Sequence, residues 1–180
     1  MTTKLRSLIL AIIVLLPSLI YSQNKTGTNG VTFLKMDVSA RAAALGGSYI
    51  GLSDDAACLY YNPAGMINLK SIDVIGSHDL YVDGIQYSHL GLVVPLKNMN
   101  AAAGFQASYL STGDMDVTTP SHSQGTGQTF SASDLVIGAS YAQMLLPKFF
   151  VGGTLKFIKE SLANETDWTL AGDVGTYYNT

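Results

Sequence analysis

The chain has 180 residues, of which 10 are basic, 13 are acidic and one is a cysteine. The net charge of −3 argues against nucleic-acid binding, and a lone Cys58 excludes an intrachain disulfide framework or a thiolate metal cluster. Although 47% of the residues are hydrophobic, no run after Leu69 reaches the roughly 18 apolar residues that a membrane helix needs.

The first 22 residues have the layout of a secretory signal peptide. Lys4 and Arg6 precede an uncharged stretch over 8–16, Pro17 interrupts it, and Ser22 supplies a small residue at the cleavage position. A membrane helix is the alternative, but the stretch is short and broken by proline. We therefore expect export and a mature chain that begins near residue 23. Eight basic and thirteen acidic residues then remain, a net charge of −5.

Residues 23–70 precede the first predicted strand and favour two short helices. Ser39 or Asp37 is a candidate N-cap for an alanine-rich first helix, which the glycine pair at 46–47 ends. The run Ser-Asp-Asp at 53–55 is expected to cap the second helix. The segment is too long for a linker and too short for a domain, so it fits a plug inside a barrel.

The second helix leads into the turn Asn62-Pro63-Ala64-Gly65. Asn62 favours a turn closed by its own side chain, and Pro63 fixes one backbone angle. Gly65 is expected to adopt the left-handed conformation that ends the preceding helical turn. The sequence therefore predicts a rigid turn immediately before the strands.

The remainder of the chain alternates between apolar and small or polar residues with period two, which indicates strands. The fold class is all-β, and the pattern predicts six strands at 71–79, 84–96, 101–115, 129–145, 149–162 and 168–180. One face of the later strands is apolar and aromatic, whereas the other is small, polar or charged.

A soluble β-sandwich also alternates, so the positions of the aromatic residues matter. Trp168 and Tyr178 share a face ten residues apart, which corresponds to about 25 Å along the membrane normal for a strand tilted by about 40°. This is the height of the apolar band of an outer-membrane β-barrel, and it favours an antiparallel transmembrane barrel over the soluble sheet. The candidate membrane girdle comprises Tyr141, Phe149, Trp168 and Tyr178.

The predicted connections alternate in length. Residues 97–100 and 146–148 are short, whereas 116–128 is long, polar and rich in Thr, Ser and Gly. Bacterial barrels have short periplasmic turns and longer outer loops, so we expect the 116–128 loop to face outward. Six strands are fewer than the eight of the smallest such barrels, so we expect a fragment that lacks its C-terminal part or, alternatively, a protomer whose barrel other chains complete.

The segment before the strands resembles a known family. Ser-Ala-Arg-Ala-Ala-Ala-Leu-Gly-Gly at 39–47, Asp-Asp at 54–55 and Asn-Pro-Ala-Gly at 62–65 are similar to the N-terminal signature of the PorV/PorQ proteins, a branch of the FadL-like outer-membrane barrels. The resemblance implies a fourteen-stranded barrel, about eight strands of which are missing here, with an N-terminal hatch in the lumen. The hatch residues that it implies are Arg41, Gly46, Asp54, Asp55, Asn62, Pro63, Ala64 and Gly65.

The resemblance implies two functions. PorV/PorQ proteins belong to the type IX secretion system, in which they bind the C-terminal domain of a secreted cargo or a partner of the surface-anchoring complex. The wider FadL-like group instead admits hydrophobic small molecules such as long-chain fatty acids. Both place the protein in the lipid of the cell outer membrane, and the choice between shuttle, anchor and transporter stays open.

The sequence offers no candidate catalytic, cofactor or metal site. His78, His89 and His122 lack metal-ligand spacing, and the chain has neither a Gly-x-Ser-x-Gly motif nor a phosphate-binding loop. The expectation is a protein that is not an enzyme.

Arg41 lies within the alanine-rich helix, and burial of an unpaired arginine is costly. We expect it to be a luminal anchor of the hatch, paired with a carboxylate from Asp54, Asp55, Asp73 or Asp173. The alternative is a solvated arginine on a mobile segment.

Overall fold

The computed structural model describes residues 30–179. The compact unit that begins at Val31 carries the fold. The predicted signal peptide and the first residues of the predicted hatch lie outside the described residues. Within 30–179, every helix is too short or too polar to cross a membrane.

Six antiparallel strands form one sheet in which each strand pairs with its neighbours in sequence. The prediction of an all-β, antiparallel fold is confirmed, and the first five strands lie within two residues of their predicted bounds. The strands are β1 Asp73–Leu80, β2 Gln86–Leu96, β3 Ala101–Asp116, β4 Thr129–Leu146, β5 Phe149–Leu162 and β6 Glu165–Tyr178.

The connections lie at two ends of the sheet. The turn end has 97–100 and 147–148, and the loop end has 81–85, 117–128 and 163–164. The last connection is shorter than predicted, because Ala163 adopts a left-handed conformation (φ 53°) and closes a two-residue turn. The predicted start of β6 at residue 168 is therefore wrong. Residues 165–167 are polar, as loop residues are, yet they continue the ladder with β5.

The register places the two kinds of residue on opposite faces. Directly opposite residues of antiparallel strands share a face, and the ladders β1–β2, β2–β3 and β5–β6 run without a register shift. One face, which we call the open face, exposes large apolar side chains from 37% for Leu92 to 83% for Val174. The other, the covered face, lies under the N-terminal segment; it carries the small and polar residues, and buried large apolar side chains as well, among them Tyr87, Val93, Val136, Phe150 and Ile158.

Residues 31–69, which we call the N-terminal cover, pack on the covered face. They form two short α-helices and two 3-10 helices: α1 Ala40–Ala44, α2 Cys58–Tyr61, and the 3-10 helices Thr32–Lys35 and Pro63–Asn68. Leu59, Cys58 and Met66 are fully buried against Val93 of β2 and Ala102 of β3. The core therefore lies between the cover and the sheet.

The helix caps agree with the sequence in part. Ser39 caps α1 by accepting a hydrogen bond from the Ala42 N–H, and Gly46 is left-handed (φ 64°) just after the helix. The predicted cap of α2 by residues 53–55 is wrong, because the N-cap position is Ala57, whose methyl side chain cannot accept a hydrogen bond. Asp55 instead accepts from the Ala57 N–H, one residue before the helix begins.

Candidate functional site

Asn62 ties the cover to the last described strand. Its Oδ1 accepts the Ala64 N–H (3.2 Å), which closes the predicted side-chain turn and starts the 3-10 helix. Its Nδ2 donates to the carbonyl oxygens of Ile50 and Thr176, each at 3.1 Å. The side chain is buried, so all these polar groups are satisfied without water.

A pair of glycines in the sheet makes room for this turn. Gly152 of β5 and Gly175 of β6 lie directly opposite each other on the covered face. A Cβ at Gly152 would lie 2.5 Å from the Ala64 nitrogen, and one at Gly175 would lie 2.2 Å from Asn62 Oδ1. The turn therefore rests on the bare backbone of two strands, in a notch that any larger residue would fill.

Gly65 does not have the conformation predicted for it. It lies inside the 3-10 helix Pro63–Asn68 and is not among the left-handed residues, and α2 already ends at Asn62, before Gly65 is reached. The glycine is required by space instead, because a Cβ there would lie 2.1 Å from the Cβ of Ser53. Pro63 occupies the first helical position, where its missing N–H costs nothing.

Arg41 forms a two-pronged pair with Asp54, one of its predicted partners. Its Nη1 and Nη2 lie 2.7 and 2.9 Å from the two oxygens of Asp54, and Nη1 also reaches Asp55 at 3.3 Å. The Tyr49 hydroxyl donates to Asp54 at 3.1 Å. The hydrogen bond from Arg41 lowers the pKa of the Asp54 carboxyl, which stays charged.

The surroundings of Arg41 differ from the prediction of a buried anchor. Its side chain is 48% exposed, so solvent screens the pair, which joins two parts of the cover and does not reach the sheet. Asp73 accepts the Ala56 N–H at 2.9 Å, and Asp173 binds Lys156. These two carboxylates bind other partners in place of Arg41, because they face the underside of the cover, away from α1.

The polar contact between cover and sheet centres on Lys156, which the sequence pattern assigned only to a face. Its Nζ lies 2.6 Å from Asp173 Oδ2 and 5.5 Å from the centre of the Tyr60 ring. The side chain is only 7% exposed, and it therefore requires this carboxylate. The Tyr60 hydroxyl lies within hydrogen-bond distance of the carbonyl oxygens of Leu34 and Met36, which share its one hydrogen, and so the ring is fixed over the lysine. The sequence signal that could have identified Lys156 is a lysine among the small residues on one face of a strand.

The four predicted girdle residues lie on the open face. Tyr141, Trp168 and Tyr178 are 43%, 56% and 63% exposed, and Phe149 lies directly opposite Tyr178 near the turn end. Trp168 lies near the loop end, where its ring is 4.8 Å from that of Phe157. The structure thus places these aromatic residues towards opposite ends of one apolar surface, and their contact with a membrane stays a prediction.

Polar residues bound that apolar surface at the loop end. Register places Gln86, Ser111, Ser133, Ser161 and Thr166 side by side across five strands of the open face. We call them the hydroxyl row, since four of the five carry hydroxyl groups. The next row towards the turn end contains Ser88, Tyr109, Leu135, Lys159 and Trp168, and the three rows that follow are composed of aliphatic, aromatic and glycine residues.

The histidines are not brought together. His89 is buried and shares a hydrogen with Ser108 (2.8 Å), His78 contacts Ser88, and His122 lies in the 117–128 loop. Within residues 30–179 no group of three or more His, Cys, Asp or Glu side chains is placed to hold a metal ion.

Neither the models of known protein families nor the curated proteins contain a match to this chain.

Proposed function

We propose that the protein is an outer-membrane β-barrel of the PorV/PorQ type, exported through a cleaved signal peptide, whose hatch is the N-terminal cover. The observation that carries the membrane assignment is the open face, where three adjacent rows of aliphatic, aromatic and glycine residues run across β2–β6 and polar residues follow at the loop end. Soluble monomers rarely expose contiguous apolar patches beyond a few hundred Å². In lipid this surface needs no protein partner.

A barrel also suits the other face. Barrel interiors are polar or plugged, and the covered face carries polar residues such as Lys156, Asp173 and Gln106 beneath the cover. β1 and β6 each leave one edge unpaired within the described residues, and unpaired backbone groups in lipid cost several kcal/mol each. We propose that further strands pair with these edges and close the barrel.

Within this proposal, the protein is a component of type IX secretion without enzymatic activity, and it binds the C-terminal domain of a cargo or a surface-complex protein. Support comes from the motif residues, which form one connected structure: Arg41 pairs with Asp54, and Asn62 seats the turn on β5 and β6. Such a firmly seated hatch favours a protein-binding barrel over an open channel.

A FadL-like channel for hydrophobic small molecules is the second candidate, and a groove at the turn end favours it. The groove encloses about 600 Å³ between Leu69, Met144 and Phe150, and Lys70 and Lys97 also line it. Apolar walls together with two lysines suit a fatty acid, whose carboxylate the lysines would bind.

Two measurements on the full-length protein separate the candidates. The first is retention of a purified cargo C-terminal domain, and the second is uptake of a labelled fatty acid by cells that carry the protein. Replacement of 117–128 by a two-residue turn like that at 163–164 should abolish retention if the loop end holds the partner. The turn at 97–100 has too few residues to be shortened by the same amount. Lys97→Gln is therefore the control at the turn end, and it should reduce uptake of the fatty acid without a change in cargo retention.

The outcomes are distinct. Retention that depends on the 117–128 loop supports the secretion role, whereas uptake without retention supports the channel. Recovery of the protein in the soluble periplasmic fraction would contradict both, because each requires insertion into the outer membrane.

A further inference from the structure

The sheet separates its charges between the two faces. From the hydroxyl row to the turn end, Lys159 is the one formally charged residue on the open face of the described strands. The carboxylates of β4–β6 in this region lie on the covered face, where Asp134, Glu160 and Asp167 are adjacent in one row. Asp114 and Asp116 lie beyond the hydroxyl row, farther from the apolar surface.

Lys159 lies where the apolar surface ends. It is directly opposite Trp168, and its Nζ is 5.2 Å from the centre of the indole ring. The three ion pairs within residues 30–179 involve Arg41 and Lys156, so Lys159 has no carboxylate partner among these residues. An ammonium group at the edge of hydrocarbon is partly desolvated, and it therefore favours an anion beside it.

Hydroxyl groups complete the surroundings of this lysine. Ser161 and Thr166 are the neighbours of Lys159 and Trp168 in the hydroxyl row, and their oxygens are 3.3 Å apart. Each hydroxyl is able to donate a hydrogen bond. A cation, two donors and an indole ring thus lie together at the boundary of the apolar surface, and no carboxylate of β5 or β6 shares that face with them.

We propose that Lys159, Ser161, Thr166 and Trp168 bind the phosphate of an anionic lipid in the leaflet at the loop end. The inference rests on the proposed function, since it requires the open face to contact lipid. The ammonium group pairs with the phosphate, the hydroxyls donate to its oxygens, and the indole packs on the first carbons of the acyl chains. The carboxylates of β4–β6 lie on the covered face, so they do not repel the lipid phosphate.

Trp168 provides the measurement because it is the only tryptophan of the chain. The full-length protein, in which any tryptophan of the further strands is replaced by phenylalanine, is inserted into phosphatidylcholine vesicles that contain a small fraction of brominated lipid, which quenches tryptophan fluorescence on contact. The brominated lipid is either zwitterionic phosphatidylcholine or anionic phosphatidylglycerol. A lysine near an anionic surface contributes about 1 kcal/mol, so we expect about fivefold stronger association of the anionic lipid.

The variants isolate the lysine. Lys159→Gln should remove the preference, Lys159→Arg should keep it, and Lys148→Gln in the turn at the other end should leave it unchanged. Equal quenching by the two lipids, or an unchanged preference in Lys159→Gln, would overturn the lipid site and leave the barrel intact. If neither lipid quenches Trp168, the open face does not contact lipid, and the proposed function fails as well.

Discussion

Two adjacent glycines of β5 allow a sharp test of how the cover is seated. Gly152 faces the cover, and Gly153 lies on the open face. A Cβ at Gly152 would lie 2.5 Å from the nitrogen of Ala64 and 2.6 Å from the carbonyl carbon of Pro63, and neither backbone atom can rotate away. For a Cβ at Gly153, the nearest atom would be the backbone carbonyl oxygen of Asp173, at the ordinary contact distance of 3.4 Å.

The magnitude follows from this overlap. The methyl group of Gly152→Ala needs about 1 Å more room than it has, and overpacking of this kind costs about 1 to 3 kcal/mol. The cost falls on the docked state of the cover, because the ladder hydrogen bonds of β5 are unaffected by a methyl group. The fraction of molecules with an undocked cover should therefore rise by about 5-fold to about 150-fold.

Cys58, the only cysteine among the 180 residues, reports that fraction once any cysteine of the further strands is replaced by serine. It is fully buried between the cover and the sheet, and burial raises the pKa of its thiol to about 12. At pH 8 the docked thiol is therefore both inaccessible and protonated, and alkylation requires the cover to leave. The measurement is the alkylation rate of the folded protein, with circular dichroism to verify that the sheet is retained.

Gly152→Ala should react faster than wild type by the factor given above, whereas Gly153→Ala should react at nearly the wild-type rate. Equal rates for the two variants would refute the role of the notch. A faster rate for Gly153→Ala than for Gly152→Ala would show that the cover does not rest on this part of β5.

Three other predictions test separate parts of the structure. Leu155→Arg, at a side chain that is 77% exposed on the open face, should destabilise the inserted protein by about 2 to 4 kcal/mol if it faces midplane lipid, and unchanged folding into vesicles would exclude that position. On intact cells, protease should cut within 117–128 and not within 97–100; cleavage only after permeabilisation would invert the topology. Arg41→Ala should accelerate amide exchange in the cover. In wild type the contact between Arg41 and Asp54 should weaken as the pH falls through the lowered pKa of Asp54, because that carboxylate is charged only above this pKa. Amide protection factors of the cover that do not change with pH in this range would contradict the prediction.

The strands were predictable because their signal is local. A period of two is readable from the order of the residues alone, and a sheet covered on one face places successive residues in two different environments. The prediction of where β6 begins was wrong for the same reason, because it used only local signals. Residues 165–167 are polar on both faces, and only their pairing with β5 identifies them as strand.

The site was predictable in its residues and less so in their roles. Asn62 closes its turn within two residues, which is a local property of asparagine and proline. The donation of Asn62 to Thr176, and the need for glycine at 65, depend on backbone that other parts of the chain bring within contact. The exposure of Arg41 likewise depends on how the cover lies on the sheet, which no local pattern encodes.

The hydrogen bond from Asn62 to Thr176 joins residues 114 positions apart, and this separation constrains the order of folding. Contacts of long sequence separation form late, because the intervening chain must first be ordered. The notch exists only once β5 and β6 are paired, so the turn at 62–65, although it is synthesised before any strand, has no seat until the sixth strand has joined the sheet. We expect the reactivity of Cys58 to fall to its native level only after β5 and β6 have paired.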